Sequence, residues 1–260
     1  MALVETEALV LRTYNLAEAD KIVVCLCRAT GLIRGVAKGC RRLKNRFGAA
    51  FEPFTLINLS YYHKENQELV SIGQAEIVRS SFDVLSEPVT LAGLAYMGDL
   101  VVEFSPPNQA NDNLFRMVRA CIEAVSEAPA DLQSVTRYFE VWLLRLEGFL
   151  PDVQRCADCH RMFAEGETVF VGADPAFRCQ SCGATGTHAL SKKVHALLRA
   201  ALKLAPGPFG QQSRETSDKT TRELAQLTQQ MIGRVLEREM RTRPSYLPLG
   251  FDPKPEDARH

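Results

Sequence analysis

The sequence predicts an α+β fold, with a β-barrel domain at residues 1–82 and a helical domain at 83–250 that carries a four-cysteine insert at 152–189. Three observations lead to this prediction. Short β-prone runs fill the first part of the chain, helical periodicity follows them, and two cysteine pairs interrupt the helical part. The polar residues 251–260 are expected to form a disordered tail.

The barrel is predicted from five short runs rich in Val, Ile, Leu, Phe and Tyr, which turn residues separate. These runs are Glu5–Leu11, Lys21–Cys27, Leu32–Ala37, Phe54–Tyr62 and Leu69–Val78. Five strands with no helical period between them favour a small closed barrel of the oligonucleotide-binding (OB) type. An SH3-like barrel or a small open sheet would fit the same pattern.

The helical domain is predicted from apolar residues that recur at spacings of three and four. Helices are expected to begin at Pro88, after Asn111 or Asp112, at Leu132, after Ser191 and at about Thr220. The apolar face of the first helix would carry Leu91, Leu94, Ala95 and Val102. Residues 205–218 contain two prolines and two glycines, so this segment is expected to be a loop or linker.

The N-terminus does not read as a signal peptide, because Glu5 and Glu7 stand inside its apolar stretch. No uncharged run approaches the roughly 18 residues that a membrane span needs. We therefore expect a soluble cytoplasmic protein that makes no use of a membrane. Its eight cysteines would lie in a reducing compartment, where metal binding is favoured over disulfides.

Four of these cysteines form two CxxC pairs, at Cys156 and Cys159 and at Cys179 and Cys182. Zinc prefers four soft ligands placed tetrahedrally, and each CxxC turn supplies two sulfurs. Since all four ligands would be cysteines, no position stays open for a substrate, and the pattern predicts one structural Zn²⁺. The alternatives are four free thiols, or haem attachment at the CxxCH sequence that ends at His160, which would need an export route.

A basic segment is the second candidate site. Formal net charge is zero, yet the stretch from Lys21 to Phe51 holds eight basic residues and no acidic one. Six of them are predicted to bind nucleic acid: Arg34, Lys38, Arg41, Arg42, Lys44 and Arg46. Such a loop can follow a phosphate backbone, although a solvated charged hairpin is the simpler alternative. Candidate residues for base stacking are Phe47, Phe51, Tyr61 and Tyr62, of which Phe51 fits the barrel interior better.

No catalytic motif is present: the sequence lacks a GxxxxGK[ST] phosphate loop, an HExxH motif and a GxSxG motif. We therefore expect a protein that is not an enzyme. Two other classes stay open. One is a zinc-ribbon nucleic-acid enzyme with unrecognised catalytic residues, and the other is a zinc-stapled scaffold for protein partners.

Two segments resemble the RecO family of bacterial recombination mediators. They are EALVLRTYNLAEADKIVVCLCRATGLIRGVAKGCRRLKNRFGAAFEPF and TRYFEVWLLRLEGFLPDVQRCADC, and the closing helix followed by Arg243–Leu247 fits the same family. The resemblance covers about residues 1–250. Departures are small, with Ala17 where the family usually has Gly and Asn45 where Ser is common.

The resemblance implies an OB fold, a helical domain with a zinc-binding insert, and no enzymatic activity. It implies binding of single- and double-stranded DNA, annealing of complementary strands, and a partnership with RecR that loads RecA onto DNA coated by single-stranded-DNA-binding protein (SSB). Such a protein would work in the cytoplasm, at the nucleoid during repair. The acidic SSB tail would need a cation beside an apolar groove, and Arg137 and then Lys193 are the candidates, unless both are ordinary helix-surface charges.

Overall fold

The computed structural model describes residues 2–16, 18–63, 68–82, 86–172, 174, 176–183 and 188–236. The segment Arg243–Leu247 and the predicted tail at 251–260 lie outside these residues. The chain divides into two compact units, Met1–Phe139 and Glu140–His260. The predicted domain boundary after residue 82 stays a prediction.

Five strands of the first unit close into a barrel, as the five short β-prone runs predict. They are β1 (Ala2–Leu16), β2 (Asp20–Cys27), β3 (Gly31–Ala37), β4 (Leu56–His63) and β5 (Leu69–Arg79). The strands follow the order β1-β2-β3-β5-β4, and β4 pairs back with β1. Every pair is antiparallel except β3 with β5. This closed five-stranded arrangement is OB-like and confirms the predicted fold class.

The strands are strongly staggered, and one row of directly paired residues shows it. The row runs round the outside of the barrel through Tyr14, Ile22, Val36, Ser71, Tyr62 and Leu3. The row starts on β1 at Tyr14 and returns to β1 at Leu3, eleven residues earlier in the chain. Closure of a small barrel requires such an offset between its strands. All six side chains are exposed or half-buried. We call these six residues the outer row.

Alternate residues of the strands point inward and form the barrel core. Val10, Val23, Ile57 and Leu59 are at most 1% exposed. Cys25, Cys27 and Cys40 belong to the same core, where these thiols pack as small apolar side chains.

The helices of the first unit are α1 (Pro88–Phe104) and α2 (Asp112–Glu127), followed by a 3₁₀ turn and by α3 (Leu132–Leu146), which crosses the unit boundary. Asn111 caps α2 as predicted, since its side chain accepts a hydrogen bond from the Leu114 N–H (3.0 Å). Helix α1 packs on β1, and an Arg12–Asp99 ion pair of 2.8 Å joins the two elements.

The buried face of α1 differs from the predicted one. Leu94 is fully buried as expected, but Leu91 is 39% exposed and Val102 is half-buried. The reason is that two glycines face neighbours: a Cβ on Gly93 would lie 2.6 Å from Leu132, and one on Gly98 would lie 3.3 Å from the Phe54 ring. A hydrophobicity pattern does not register such close-approach positions.

The second unit contains three further helices and a small sheet. The helices are α4 (Lys192–Ala201), α5 (Pro206–Arg214) and α6 (Asp218–Leu236). The strands β6 (Val169–Val171), β7 (Phe177–Arg178) and β8 (His188–Leu190) form an antiparallel sheet of order β7-β6-β8. No helix of the described residues is both long and apolar enough to span a membrane.

The prediction of a loop at 205–218 is wrong, because helix α5 occupies most of this segment. Pro206 lies in the first turn, where a missing N–H costs no hydrogen bond. Phe209 anchors the helix, since its side chain is completely buried. Pro and Gly content alone therefore misjudged a segment that tertiary packing holds helical.

Candidate functional site: a cysteine cluster and a basic loop

The first CxxC pair lies in a tight turn between Val153 and Phe163. The Cys156 carbonyl accepts a hydrogen bond from the His160 N–H (3.0 Å), and the Cys156 N–H donates to the Arg161 carbonyl (3.0 Å). His160 has a left-handed backbone with φ of 58°, which turns the chain back sharply. This geometry directs the sulfurs of the pair to one side of the turn.

The second pair follows β7 in a similar turn. The carbonyl of Cys179 accepts hydrogen bonds from the N–H groups of Cys182 (3.1 Å) and Gly183 (2.7 Å). A Cβ on Gly183 would lie 2.7 Å from the Phe170 ring, so the turn can close only because this residue is glycine. The two turns are joined by a hydrogen bond from the Ala157 N–H to the Phe177 carbonyl (2.8 Å).

The four cysteine sulfurs form one cluster, all lying within 4.8 Å of one another. The sulfurs of Cys159 and Cys179 are 3.8 Å apart. A tetrahedral zinc with bonds of about 2.3 Å would place its sulfur ligands about 3.8 Å apart, so the cluster has the size that such an ion needs. Cys156 and Cys179 are buried and Cys159 is exposed. The four residues could therefore hold a metal ion near the surface.

The environment of Cys156 favours the thiolate that a metal requires. Burial opposes the charged form, but N–H groups of Cys159, Cys179 and Asp158 outweigh it and lower the pKa of the Cys156 thiol to about 6. One of these contacts is a hydrogen bond of 3.4 Å from the Cys179 N–H to the Cys156 sulfur. Cys156 is thus prepared as a thiolate, whereas contacts with the Cys179 and Cys159 sulfurs raise the pKa of the Cys182 thiol to about 12.

Charged side chains around the cluster brace it, and sequence reasoning missed them. Arg178 donates to Asp158 (2.9 Å) and to Asp174 (2.8 Å). Arg161 pairs with Glu167, and this contact lowers the pKa of the Glu167 carboxyl. The charged residues of the insert are visible in the sequence. Which of them form ion pairs is decided by the two cysteine turns, which bring them together in space.

His195 of α4 connects this helix to the cysteine insert and was also missed. Its Nε2 donates to the Val153 carbonyl at 2.7 Å, and its ring meets the Phe163 ring edge-on at a centroid distance of 5.6 Å. Because a carbonyl can only accept, Nε2 carries the proton. Burial lowers the pKa of His195, in keeping with a neutral structural imidazole.

The basic segment forms a loop at residues 38–55 between β3 and β4, and apolar anchors hold it. Cys40, Phe47, Ala50 and Phe51 are each at most 8% exposed and belong to the barrel core. Hydrogen bonds fix the turns between them: the Gly39 N–H donates to Asp20 Oδ1 (2.8 Å) and Asn45 Oδ1 accepts from the Phe47 N–H (2.9 Å). The loop has a defined course.

All six predicted cations are brought to the surface of the barrel by β3 and this loop. The exposed residues are Arg34, Lys38, Arg41, Arg42, Lys44 and Arg46. Within the described residues, no carboxylate lies at ion-pair distance from Arg34, Lys38, Arg42 or Lys44. The Arg46 guanidinium lies 4.8 Å from the Phe47 ring centroid and donates to the Ile72 carbonyl (3.4 Å). The arrangement can bind an extended polyanion electrostatically.

The four aromatic residues proposed for base stacking have different surroundings. Phe47, Phe51 and Tyr61 are 2–4% exposed and fill the barrel, whereas Tyr62 is 41% exposed on the outer row. Phe51 lies in the barrel core as expected, and Phe47 and Tyr61 join it there, so Tyr62 is the one exposed ring among the four.

The two residues predicted to contact a protein tail also differ. Arg137 is 1% exposed, so a surface ligand would reach its guanidinium only after local opening of α3. Lys193 is exposed in the first turn of α4.

An open groove of about 700 Å³ lies between the cysteine insert and α4 in the second unit. Three cations line it: Lys192 and Arg199 on one face of α4, and Lys203 just beyond. Phe163 and Leu204 supply apolar surface beside them. The acidic side chains Glu165 and Glu167 also line the groove, and Glu167 is engaged by Arg161.

Comparisons with known proteins agree with this architecture. The family model described as Recombination protein O N terminal matches residues 1–81, and the one described as Recombination protein O C terminal matches residues 85–244. A DNA repair protein RecO of Geobacter metallireducens is 32% identical over 206 residues, which are 79% of this chain and 82% of the relative. One of Anaeromyxobacter sp. (strain K) is 27% identical over 223 residues, 82% of this chain and 87% of the relative.

A further DNA repair protein RecO, from Koribacter versatilis (strain Ellin345), is 34% identical over 155 residues. These residues are 60% of this chain and 63% of the relative, so the match spans less than two thirds of that protein. The RecO family is a class of recombination mediators and not of catalytic enzymes, which confirms the expectation drawn from the missing motifs. With both family models covering nearly its whole length, the chain belongs to the RecO family of DNA-repair proteins.

Proposed function

We propose that this protein is a non-enzymatic recombination mediator that binds single- and double-stranded DNA and anneals complementary strands in the cytoplasm. With RecR it would help to load RecA onto SSB-coated DNA. Measuring the assembly of RecA filaments on SSB-coated DNA, with and without this protein and RecR, would test that role. The observation that carries the proposal is the anchored loop at 38–55, which together with Arg34 presents six cations. Family membership supports the same function.

The loop suits DNA because its charges are exposed while its backbone is held. Lysine and arginine that neutralise phosphates release condensed counterions, which drives binding to any sequence. The same cations reduce repulsion between two strands, so annealing needs no chemical step and no nucleotide. Anchoring by Phe47 and Phe51 lowers the entropy that the loop loses on binding.

The four-cysteine cluster is proposed to hold one structural zinc ion through Cys156, Cys159, Cys179 and Cys182. A closed shell of four thiolates leaves no position for substrate, so the ion would stabilise the insert. The sulfur spacing and the lowered pKa of Cys156 support this assignment.

The acidic tail of SSB is proposed to dock in the groove beside α4. Such a tail combines carboxylates with apolar side chains, and the groove offers Lys192, Arg199 and Lys203 beside Phe163 and Leu204. Lys193 is exposed on the same turn as Lys192 and remains a candidate contact. The burial of Arg137 favours a structural role for that residue, so the groove replaces it as the first candidate.

A salt titration tests the DNA site. If the loop neutralises about five phosphates of single-stranded DNA, log K should fall against log salt with a slope near −3.5, at about −0.7 per phosphate. The double variant Arg41→Glu/Arg42→Glu should flatten this slope and weaken binding to all sequences alike. Its thermal midpoint should hardly change, because both side chains are exposed.

The matched control is Lys219→Glu/Arg222→Glu, which changes net charge equally at two exposed positions of α6. This control should keep the wild-type slope. An unchanged slope in the Arg41/Arg42 variant would place the DNA site elsewhere, and an equal loss in both variants would reduce the effect to net charge.

A further inference from the structure

The Tyr62 ring lies against the surface of the barrel with one side supported. β5 bulges where Tyr61 pairs with Ile72 and Ser60 pairs with Gln74, which leaves Gly73 as the extra residue. A Cβ on Gly73 would stand 3.4 Å from Cε2 of Tyr62, so the ring packs over the space that the glycine leaves. Because Tyr62 is nevertheless 41% exposed, part of its ring faces solvent.

The basic loop reaches the same place. The Arg46 guanidinium donates to the carbonyl of Ile72, the residue just before Gly73 in β5. On the other side, Tyr62 pairs with Ser71, and Ser71 with Val36, two residues from the exposed Arg34. From Tyr62 the path crosses two strand spacings of about 4.8 Å, from β4 to β5 and from β5 to β3, and then runs two residues along β3. The Arg34 backbone therefore lies about 12 Å from the Tyr62 backbone. A few nucleotides would span these cations and the ring.

Other features of the barrel surface single out this ring. Tyr14 is similarly exposed, but the Arg12 guanidinium, held by Asp99, lies 5.5 Å from its ring centroid. Beyond Tyr62, a groove of about 370 Å³ carries Glu5, Glu7 and Glu76 among its lining residues. Glu7 is paired with Arg28 (2.9 Å), but Glu5 and Glu76 would repel phosphates, so we expect a strand bound by the loop to reach Tyr62 without continuing into that groove.

We propose that Tyr62 is a base-stacking platform for single-stranded DNA, and that it distinguishes unpaired from paired strands. This inference rests on the proposed function, in which the neighbouring cations hold the phosphates. An unpaired base can lay its face on the exposed part of the ring, whereas the bases of a duplex are already stacked on each other. The cations bind both forms, and Tyr62 adds affinity only for the unpaired form.

The test compares an intact single-stranded oligonucleotide, an abasic oligonucleotide of equal length, and a duplex, by fluorescence titration at one salt concentration. Tyr62→Leu keeps apolar contact over Gly73 but removes the aromatic face. We expect it to lose about tenfold in affinity for the intact strand, which is in the range for one stacked base. It should lose nothing for the abasic strand or the duplex. Tyr62→Phe should behave as wild type, and so should the control Tyr14→Leu.

The wild-type protein should prefer the intact strand to the abasic strand, and Tyr62→Leu should lose about tenfold of that preference while its salt slope stays unchanged. Equal losses on intact and abasic strands, or an equal loss in Tyr14→Leu, would overturn the stacking role. Thermal unfolding of each variant separates these outcomes from a damaged barrel. Failure of the proposed function has another signature, because wild-type protein would then not bind the strand or the Arg41→Glu/Arg42→Glu variant would keep the wild-type salt slope.

Discussion

Among single residues, the four clustered cysteines have the largest expected effect on the stability of the protein. Cys156 and Cys179 are buried, and the Cys156 sulfur accepts a hydrogen bond from the Cys179 N–H of the opposite turn. Without an ion, four sulfurs within 4.8 Å of one another would repel once ionised. A bound cation removes this repulsion and joins the two turns.

The purified protein should therefore carry one zinc per chain. Structural zinc can supply on the order of 10 kcal/mol of local folding free energy, so Cys156→Ser or Cys182→Ser should lose the metal and sharply lower solubility. Metal analysis by mass spectrometry is the measurement. Cys40→Ala is the control, since this thiol lies in the barrel core and outside the cluster. A folded wild-type sample without zinc would contradict the assignment.

Some single residues could be predicted from sequence spacing and others could not. The cysteine spacing predicted the cluster directly, because two CxxC turns leave few arrangements. Arg137 was expected at a helix surface, yet its neighbours Val135, Thr136, Tyr138 and Phe139 are all buried as well. Part of α3 is buried all round, so its charged residue cannot be assigned to a solvent face from spacing.

Helix α4 is the element on which the proposed SSB contact depends. Lys192 and Arg199 are seven residues apart and share one face of the helix, with Ala196 between them in the same groove. The buried face of the helix carries Val194, Leu197 and Leu198, at the spacings of three and four that predict a helix after Ser191. The sequence could not show which exposed cations of the helix face the groove. The groove exists only because the cysteine insert packs beside the helix, and that position is not visible in the sequence.

A peptide with the acidic, apolar-ended sequence of an SSB tail should bind the groove at micromolar strength. Arg199→Ala should weaken it about tenfold, because a charge-assisted hydrogen bond contributes roughly 1.5–3 kcal/mol. Binding to bare DNA should stay unchanged. Fluorescence polarisation measures both affinities, and Lys219→Ala, an exposed lysine of α6, is the control. Equal weakening of peptide and DNA would mean that one surface serves both ligands.

For the whole molecule, the order of parts was predictable and the boundaries were less so. The β-prone runs and the turn residues between them predicted the five barrel strands to within a few residues, except that β1 extends to Leu16. Closure of the barrel depends on stagger between distant strands, and on the parallel pairing of β3 with β5, which local sequence does not encode. The same stagger places Tyr62, one of the four stacking candidates, next to the basic loop, and the sequence alone does not show which candidate lies there.

Exposed cations of the barrel loop are proposed to bring two DNA strands together without enzymatic chemistry. The most direct measurement mixes complementary strands, each coated with SSB, and follows annealing by energy transfer between dyes on the two strands. We expect the wild-type protein to accelerate annealing without any nucleotide, and Arg41→Glu/Arg42→Glu to lose that acceleration. Absence of annealing with wild-type protein, or full annealing with the double variant, would contradict the account.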